Sequence, residues 1–214
     1  MKQEYIYNLT LPELIIFSEK EGYTKGNALA LWKNLYRNKV ESWAECVNVN
    51  EKYLTAIKKQ YSLQLPQVKI KRIATDKTVK FLLELSDGNL IESVLMHNKY
   101  GMSLCITSQV GCNMGCSFCA SGLLGKKRDL MVGEFISQIM VANQYIKKNI
   151  ASAKVVTNVV IMGIGEPFDN YENFKKAVTI LKEENGLAIA SRKITVSTSG
   201  LSSQIINFAN DNIN

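Results

Sequence analysis

The stretch that most limits how this chain can fold is Gly111-Cys112-Asn113-Met114-Gly115-Cys116-Ser117-Phe118-Cys119. It carries three of the five cysteines in a C-x3-C-x2-C run. That spacing lets one loop wrap a single inorganic centre, and close cysteine runs are the usual sign of an iron–sulfur cluster. A four-iron cubane held by three thiolates keeps one iron open, and an open metal position can take a substrate. A zinc knuckle or a structural thiol cluster is the competing reading. Zinc asks for four ligands, typically from two C-x2-C pairs. The single histidine, His97, lies well upstream in a predicted strand. Clustered thiols argue for metal rather than a disulfide framework, and for a reducing, cytoplasmic compartment.

The chain has 214 residues, 46% hydrophobic and 21% charged, enough for one or two domains with a sizeable core. No run approaches the roughly 20 apolar residues of a membrane span, and Met1-Lys2-Gln3-Glu4 opens no apolar leader. Net charge is +7, with five basic and two acidic residues over 101–150. Lys126, Lys127 and Arg128 place that excess beside the cysteine run. A basic patch next to a reactive centre suits a polyanion such as RNA, although a generic solubility charge gives the same count.

Residues 1–66 read as a small helical domain. Helices are predicted over Leu11–Gly22, with Thr10 as N-cap and Pro12 in the first turn, and over Lys25–Asn38, Ser42–Val47 and Glu51–Tyr61. Trp32, Tyr36 and Trp43 read as core, and Cys46 as a buried filler. Pro66 marks a boundary to a β-hairpin extension over 67–100. Val68, Ile70 and Ile73 suggest a strand there, and Val79–Leu85 and Leu90–Met96 flank the turn Ser86-Asp87-Gly88-Asn89. Glu92 lies on the second hairpin strand, where an acid normally faces solvent.

From residue 101 to residue 214 strands and helices alternate. Strands are predicted over Leu104–Ser108, Val155–Met162 and Lys193–Ser197. Helices are predicted over Gly133–Lys148, Asn170–Glu184 and Leu201–Ala209, with Asp169 and Glu172 as a capping-box-like start for the second. Three β-α units in series imply an α/β fold with a parallel sheet and right-handed crossovers. Ligands then sit at the carboxyl ends of the strands. The cysteine loop, Gly163-Ile164-Gly165-Glu166-Pro167 and Ser197-Thr198-Ser199-Gly200 would converge on that rim. A dinucleotide fingerprint fails, because its third glycine falls on Phe168. Glycines here let backbone approach a ligand, and Glu166 can accept hydrogen bonds from an ammonium group.

Three segments then carry a family resemblance. They are Ser108-Gln109-Val110-Gly111-Cys112 with Cys116 and Cys119-Ala120, Ile161 to Tyr171 around Gly-Glu-Pro-Phe-Asp-Asn, and Ile194 to Gly200. They closely resemble the RlmN-type adenine-C2 RNA methyltransferases of the radical S-adenosylmethionine (SAM) class, and are similar to the related Cfr enzymes that modify carbon 8. The resemblance implies a partial radical SAM (β/α) barrel over 101–214. It implies a [4Fe–4S] cluster on Cys112, Cys116 and Cys119, and SAM contacts at Gly165, Glu166 and Ser197. It implies that Cys105 resolves a protein–RNA crosslink and that Glu92 is the proton acceptor, with Cys105 a competing base, and it implies a disulfide bond.

The implied substrates are 23S rRNA and tRNA, methylated through a methyl-cysteine by a cytoplasmic monomer reduced by flavodoxin or ferredoxin. A splayed-out base suits such chemistry. The family's Ser-Leu-His-Ala motif and its late, methyl-carrying cysteine do not occur in these 214 residues. The expectation is a C-terminally truncated portion that cannot methylate RNA alone. Another radical SAM reaction and a non-catalytic Fe–S or zinc RNA-binding remnant are the alternatives.

Overall fold

The computed structural model describes residues 3–150 and 154–211, without the side chain of Leu124. Strand β1 (Glu4–Tyr5) leads through a 3-10 turn at Ile6–Asn8 into α1 (Leu11–Lys20). Thr10 and Glu13 cap α1 reciprocally, Glu13 Oε2 accepting the Thr10 N–H at 2.7 Å. Helix α2 (Lys25–Lys33) widens into a π-helical turn at Asn34–Asn38, and α3 (Glu51–Gln60) runs into β2 (Tyr61–Ser62), which pairs in parallel with β1. The helix predicted over Ser42–Val47 is only a 3-10 turn at Trp43–Glu45. The buried Asn34 side chain explains this. It accepts from Val47 N at 3.0 Å, taking the N–H that a helix would bond to Trp43 O, and donates to Val47 O at 2.8 Å.

The remaining elements are β3 (Gln67–Ile73), β4 (Val79–Glu84), β5 (Leu90–Asn98), β6 (Gly101–Cys105), β7 (Gln109–Val110), β8 (Arg128–Asp129), α4 (Val132–Asn149), β9 (Val156–Ile161), α5 (Tyr171–Lys182), β10 (Ile194–Val196) and α6 (Ser202–Asn210). Six strands form one sheet in the order β10-β9-β6-β5-β4-β3. Strands β3 to β6 are an antiparallel meander, and β6, β9 and β10 are parallel. The predicted hairpin and the parallel half therefore share a sheet. The strand expected at Leu104–Ser108 starts earlier, at Gly101, because that residue pairs with Asn98 across a two-residue turn.

Side chains alternate across this sheet. Phe81, Leu83, Ile91, Leu95, Leu104, Val159 and Ile161 point to one face and are buried in a single core with α4 and α5. The other face carries Leu82, Glu92, Val94, Cys105, Val160 and Thr195, none fully buried. Strand β3 is an edge, exposed along its length, and Lys69, Lys71 and Arg72 guard it against pairing with another chain. Helix α4 is buried nearly all round, because the N-terminal segment packs on its far side, where Gly133 N donates to Asn8 Oδ1 at 2.7 Å. Trp32 and Tyr36 are core as expected, whereas Trp43 and Cys46 are half-buried at its margin.

All five cysteines are free thiols, which corrects the expected disulfide. Cys105 lies in mid-sheet, paired with Val94 on one side and Val160 on the other. The capping box expected at α5 is also corrected. Asn170 occupies the N-cap but its side chain does not cap the helix, and Asp169 turns instead to Gln109 and Lys126.

Candidate active site

Three loops follow the carboxyl ends of β6, β9 and β10, and backbone bonds bring them together. Gly163 N donates to Ile106 O at 3.0 Å, and Ser108 N and Gln109 N share Ile164 O at 2.9 and 3.2 Å. Ser197 N reaches Ile161 O at 3.4 Å, and its side chain stands exposed. Gly165 has φ +100°, and a Cβ there would lie 2.6 Å from the Gln109 Cβ, so only glycine permits the approach. Glu166 is 3% exposed. Its carboxylate accepts from Phe168 N at 2.9 Å and from Ser199 N at 2.6 Å, bracing the β9 loop to the β10 loop. A carboxylate has about four lone-pair sites, so Glu166 keeps acceptor capacity for a further cation.

The cysteine loop rises on a short stalk. Strands β7 and β8 pair Gln109 with Asp129 and Val110 with Arg128, and Lys127 N donates to Val110 O at 2.7 Å. Gly111 packs so closely that a Cβ would sit 1.7 Å from Gly125 O. Above it Cys112 is buried, Cys116 half-buried and Cys119 exposed, with Cys119 N bonded to Cys116 O at 3.0 Å. The Ser121 N–H and hydroxyl hold the Cys119 thiol below its ordinary range. Among the described residues no three such side chains are gathered around one point. The donor set nevertheless fits a thiolate-held cluster. Three free thiols share one loop, with neither carboxylate nor imidazole between them to favour a harder ion.

Cys105 and Glu92 share the open face of the sheet. Cys105 lies opposite Val94, and Glu92 is two residues before Val94 on the same strand. Burial pushes the Cys105 thiol up, against a weaker opposing bond from the Met162 backbone. The Glu92 carboxylate lies 2.8 Å from Lys80 Nζ, in a cavity of about 190 Å³ lined also by Ile70, Arg72 and Leu82.

The basic patch expected at 126–128 is largely neutralised within the chain. Lys126 Nζ lies 2.8 Å from Asp129 and 2.7 Å from Asp169. Burial works against its charge, but the two carboxylates outweigh it and raise its pKa. Arg128 binds both oxygens of the fully buried Glu134 at 2.8 Å and Asp87 at 2.7 Å. Only the Lys127 side chain stays exposed, 3.4 Å from the Asn89 amide oxygen.

Sequence reading also passed over three amides. Gln109 joins Asp129, Asp169 and the Glu166 N–H. Asn170 donates to Ser108 O and Leu130 O at 2.9 and 2.8 Å. Gln138, on α4, bonds Ser93 and both backbone groups of Thr107. A lone amide carries no sequence signal; only its position inside the Ser-Gln-Val-Gly-Cys and Phe-Asp-Asn segments could have flagged the first two.

A parallel-strand rim bearing a three-cysteine loop defines a radical SAM protein, and residues 106–209 match the Radical SAM superfamily. The chain is 47% identical, over 98% of its length, to a probable dual-specificity RNA methyltransferase RlmN of Shouchella clausii, and covers 58% of that protein. With a protein of the same description from Acholeplasma laidlawii it shares 49% identity over 95% of its length, covering 59% of that relative. The crystal structure of a radical SAM methyltransferase from Sphaerobacter thermophilus matches with a TM-score of 0.88 and 34% identity, over 96% of this chain and 60% of that one. Residues 106–209 thus carry a radical SAM domain, and the chain spans a little under three fifths of the length of these RlmN-type curated relatives.

Proposed function

We propose that this chain forms the cluster- and SAM-binding part of an enzyme that methylates carbon 2 of an adenosine in 23S rRNA and tRNA through a methyl-cysteine. The observation that carries the reading is the joining of three rim loops, one bearing the thiols, one Glu166 and one Ser197, beside an open face bearing Cys105. Cys112, Cys116 and Cys119 would hold a [4Fe–4S] cluster. Bound there with SAM, the cluster supplies the one-electron chemistry that an unreactive adenine carbon requires.

The residues of this chain bind and orient. Gly165 keeps backbone close to the ligand, the spare acceptor sites of Glu166 suit the SAM ammonium, and Ser197 offers an exposed hydroxyl further along the rim. Burial keeps Cys105 a protonated thiol until the adduct needs resolving, and Glu92, on the same face, takes a proton from the adenine. The domain scheme follows, with residues 1–66 meeting RNA, 67–100 extending the sheet and 101–214 holding the cofactors. We further place it as a cytoplasmic monomer served by flavodoxin or ferredoxin; no helix among the described residues is long and apolar enough to cross a membrane.

Anaerobic reconstitution with iron and sulfide tests the reading. The expected product is brown protein with about four irons per chain, whose reduced spectrum changes when SAM is added. A colourless zinc protein, or a four-iron centre indifferent to SAM, overturns it.

A further inference from the structure

Gln109 and Lys126 face each other across two carboxylate oxygens. Asp129 Oδ1 accepts from Gln109 Nε2 at 2.7 Å and from Lys126 Nζ at 2.8 Å. Asp169 Oδ2 accepts from the same two nitrogens at 2.8 and 2.7 Å. Both amide hydrogens of Gln109 are thereby committed, which fixes how its amide is turned. The oxygen Oε1 must then point the other way, where it accepts the Glu166 N–H at 2.9 Å. Glu166 in turn holds Ser199 N. On its other side Lys126 donates its backbone N–H to Asn113 Oδ1 at 2.7 Å, one residue past Cys112.

One contiguous set of bonds therefore runs from the thiol loop, through Lys126 and Gln109, to Glu166 and the loop after β10. We propose that Gln109 is a positioning residue, whose two-carboxylate clamp with Lys126 sets the spacing between the thiol loop and the Glu166 loop and thereby the affinity for SAM. This rests on the functional reading above for the ligand, but not for the geometry.

Chemistry supplies a discriminating substitution. Gln109→Glu keeps the shape but sets a carboxylate oxygen against the Asp129 and Asp169 oxygens, so repulsion opens the clamp. Adding Asp169→Asn restores a donor to the new carboxylate and returns the cluster's net charge to its native value. In the reconstituted full chain, Gln109→Glu is expected to leave iron per chain unchanged and to weaken SAM binding about tenfold, read from the SAM-induced spectral change. The double variant Gln109→Glu/Asp169→Asn is expected to recover most of that loss.

In the chain without cofactors, the amides of residues 163–166, of Phe168 and of Ser199 are expected to exchange faster in Gln109→Glu and to slow again in the double variant. Unchanged exchange and unchanged SAM affinity in Gln109→Glu overturn the proposal. Loss of iron, SAM binding and thermal stability together, with no recovery in the double variant, also overturns it, since the role is then only structural. If the native chain binds a cluster but ignores SAM, the functional reading fails, and the exchange arm still decides the clamp.

Discussion

The stalk and the tip of the cysteine loop are built on opposite principles. At the stalk, Gln109 and Asn170 are buried and fully bonded, and Lys126 sits between two carboxylates. At the tip, Cys119 is exposed, Phe118 is 91% exposed and Leu123 is 88% exposed. The tip's own backbone bonds are short-range turns such as Gly122 N to Cys119 O at 3.3 Å. The polypeptide thus fixes where the loop starts and returns, and leaves the arrangement of the thiols to whatever they bind. That division suits a site in which metal binding is itself folding free energy.

Substitutions along the loop can break or sharpen this contrast. The largest effect is expected at the stalk's base. Asn170→Ala leaves the Leu130 carbonyl buried without its donor and the Ser108 carbonyl with the Leu130 N–H alone, at a cost of about 2–3 kcal/mol in urea unfolding. An Asn170→Ala chain as stable as the native one would mean that the stalk is not the firm region.

A smaller effect is expected where the stalk meets the hairpin. Arg128, then Asn89, hold the Asp87 carboxyl well below the usual carboxylate range. A depressed folded pKa gives stability that is complete above the unfolded value of about 3.9 and is lost as pH falls towards the folded one. Asp87→Asn is expected to cost below about 1 kcal/mol at neutral pH, since the pair is partly screened, with the deficit shrinking below about pH 4. Equal deficits at pH 7 and pH 3 would show that the charge is not the cause.

The smallest effect belongs to the tip. Phe118→Ala is expected to change unfolding stability by no more than about 0.5 kcal/mol, although it removes an aromatic ring. A loss of several kcal/mol would show the tip to be packed in solution.

Much of the scaffold was legible in the chain itself. Period-2 and period-3.6 patterns located the strands and helices, Ser86 to Asn89 announced the hairpin, and the order of elements placed three loops on one rim. What stayed hidden were partners distant in sequence. Lys126 and Arg128 read as a free basic patch because, besides the nearby Asp129 and Glu134, their partners Asp169 and Asp87 lie 43 and 41 residues away. Asp169 read as a helix cap because its local spacing with Glu172 was right, while its partners Gln109 and Lys126 were invisible. Glu166 was legible as a functional carboxylate, but its bond to Ser199 depends on a strand neighbour that only the fold supplies. The Lys99–Tyr100 turn lacked the usual turn residues before Gly101, so the continuity between hairpin and parallel half was missed.

The mixed sheet has a kinetic consequence. Its meander from β3 to β6 is closed by turns of a few residues, whereas β9 can join β6 only after some fifty residues of intervening chain. Short closures lose little chain entropy, and long ones slow the search. The hairpins should consequently assemble early and offer β6 as a ready template, so that the meander dictates when the parallel half, with its three-cysteine loop, can form.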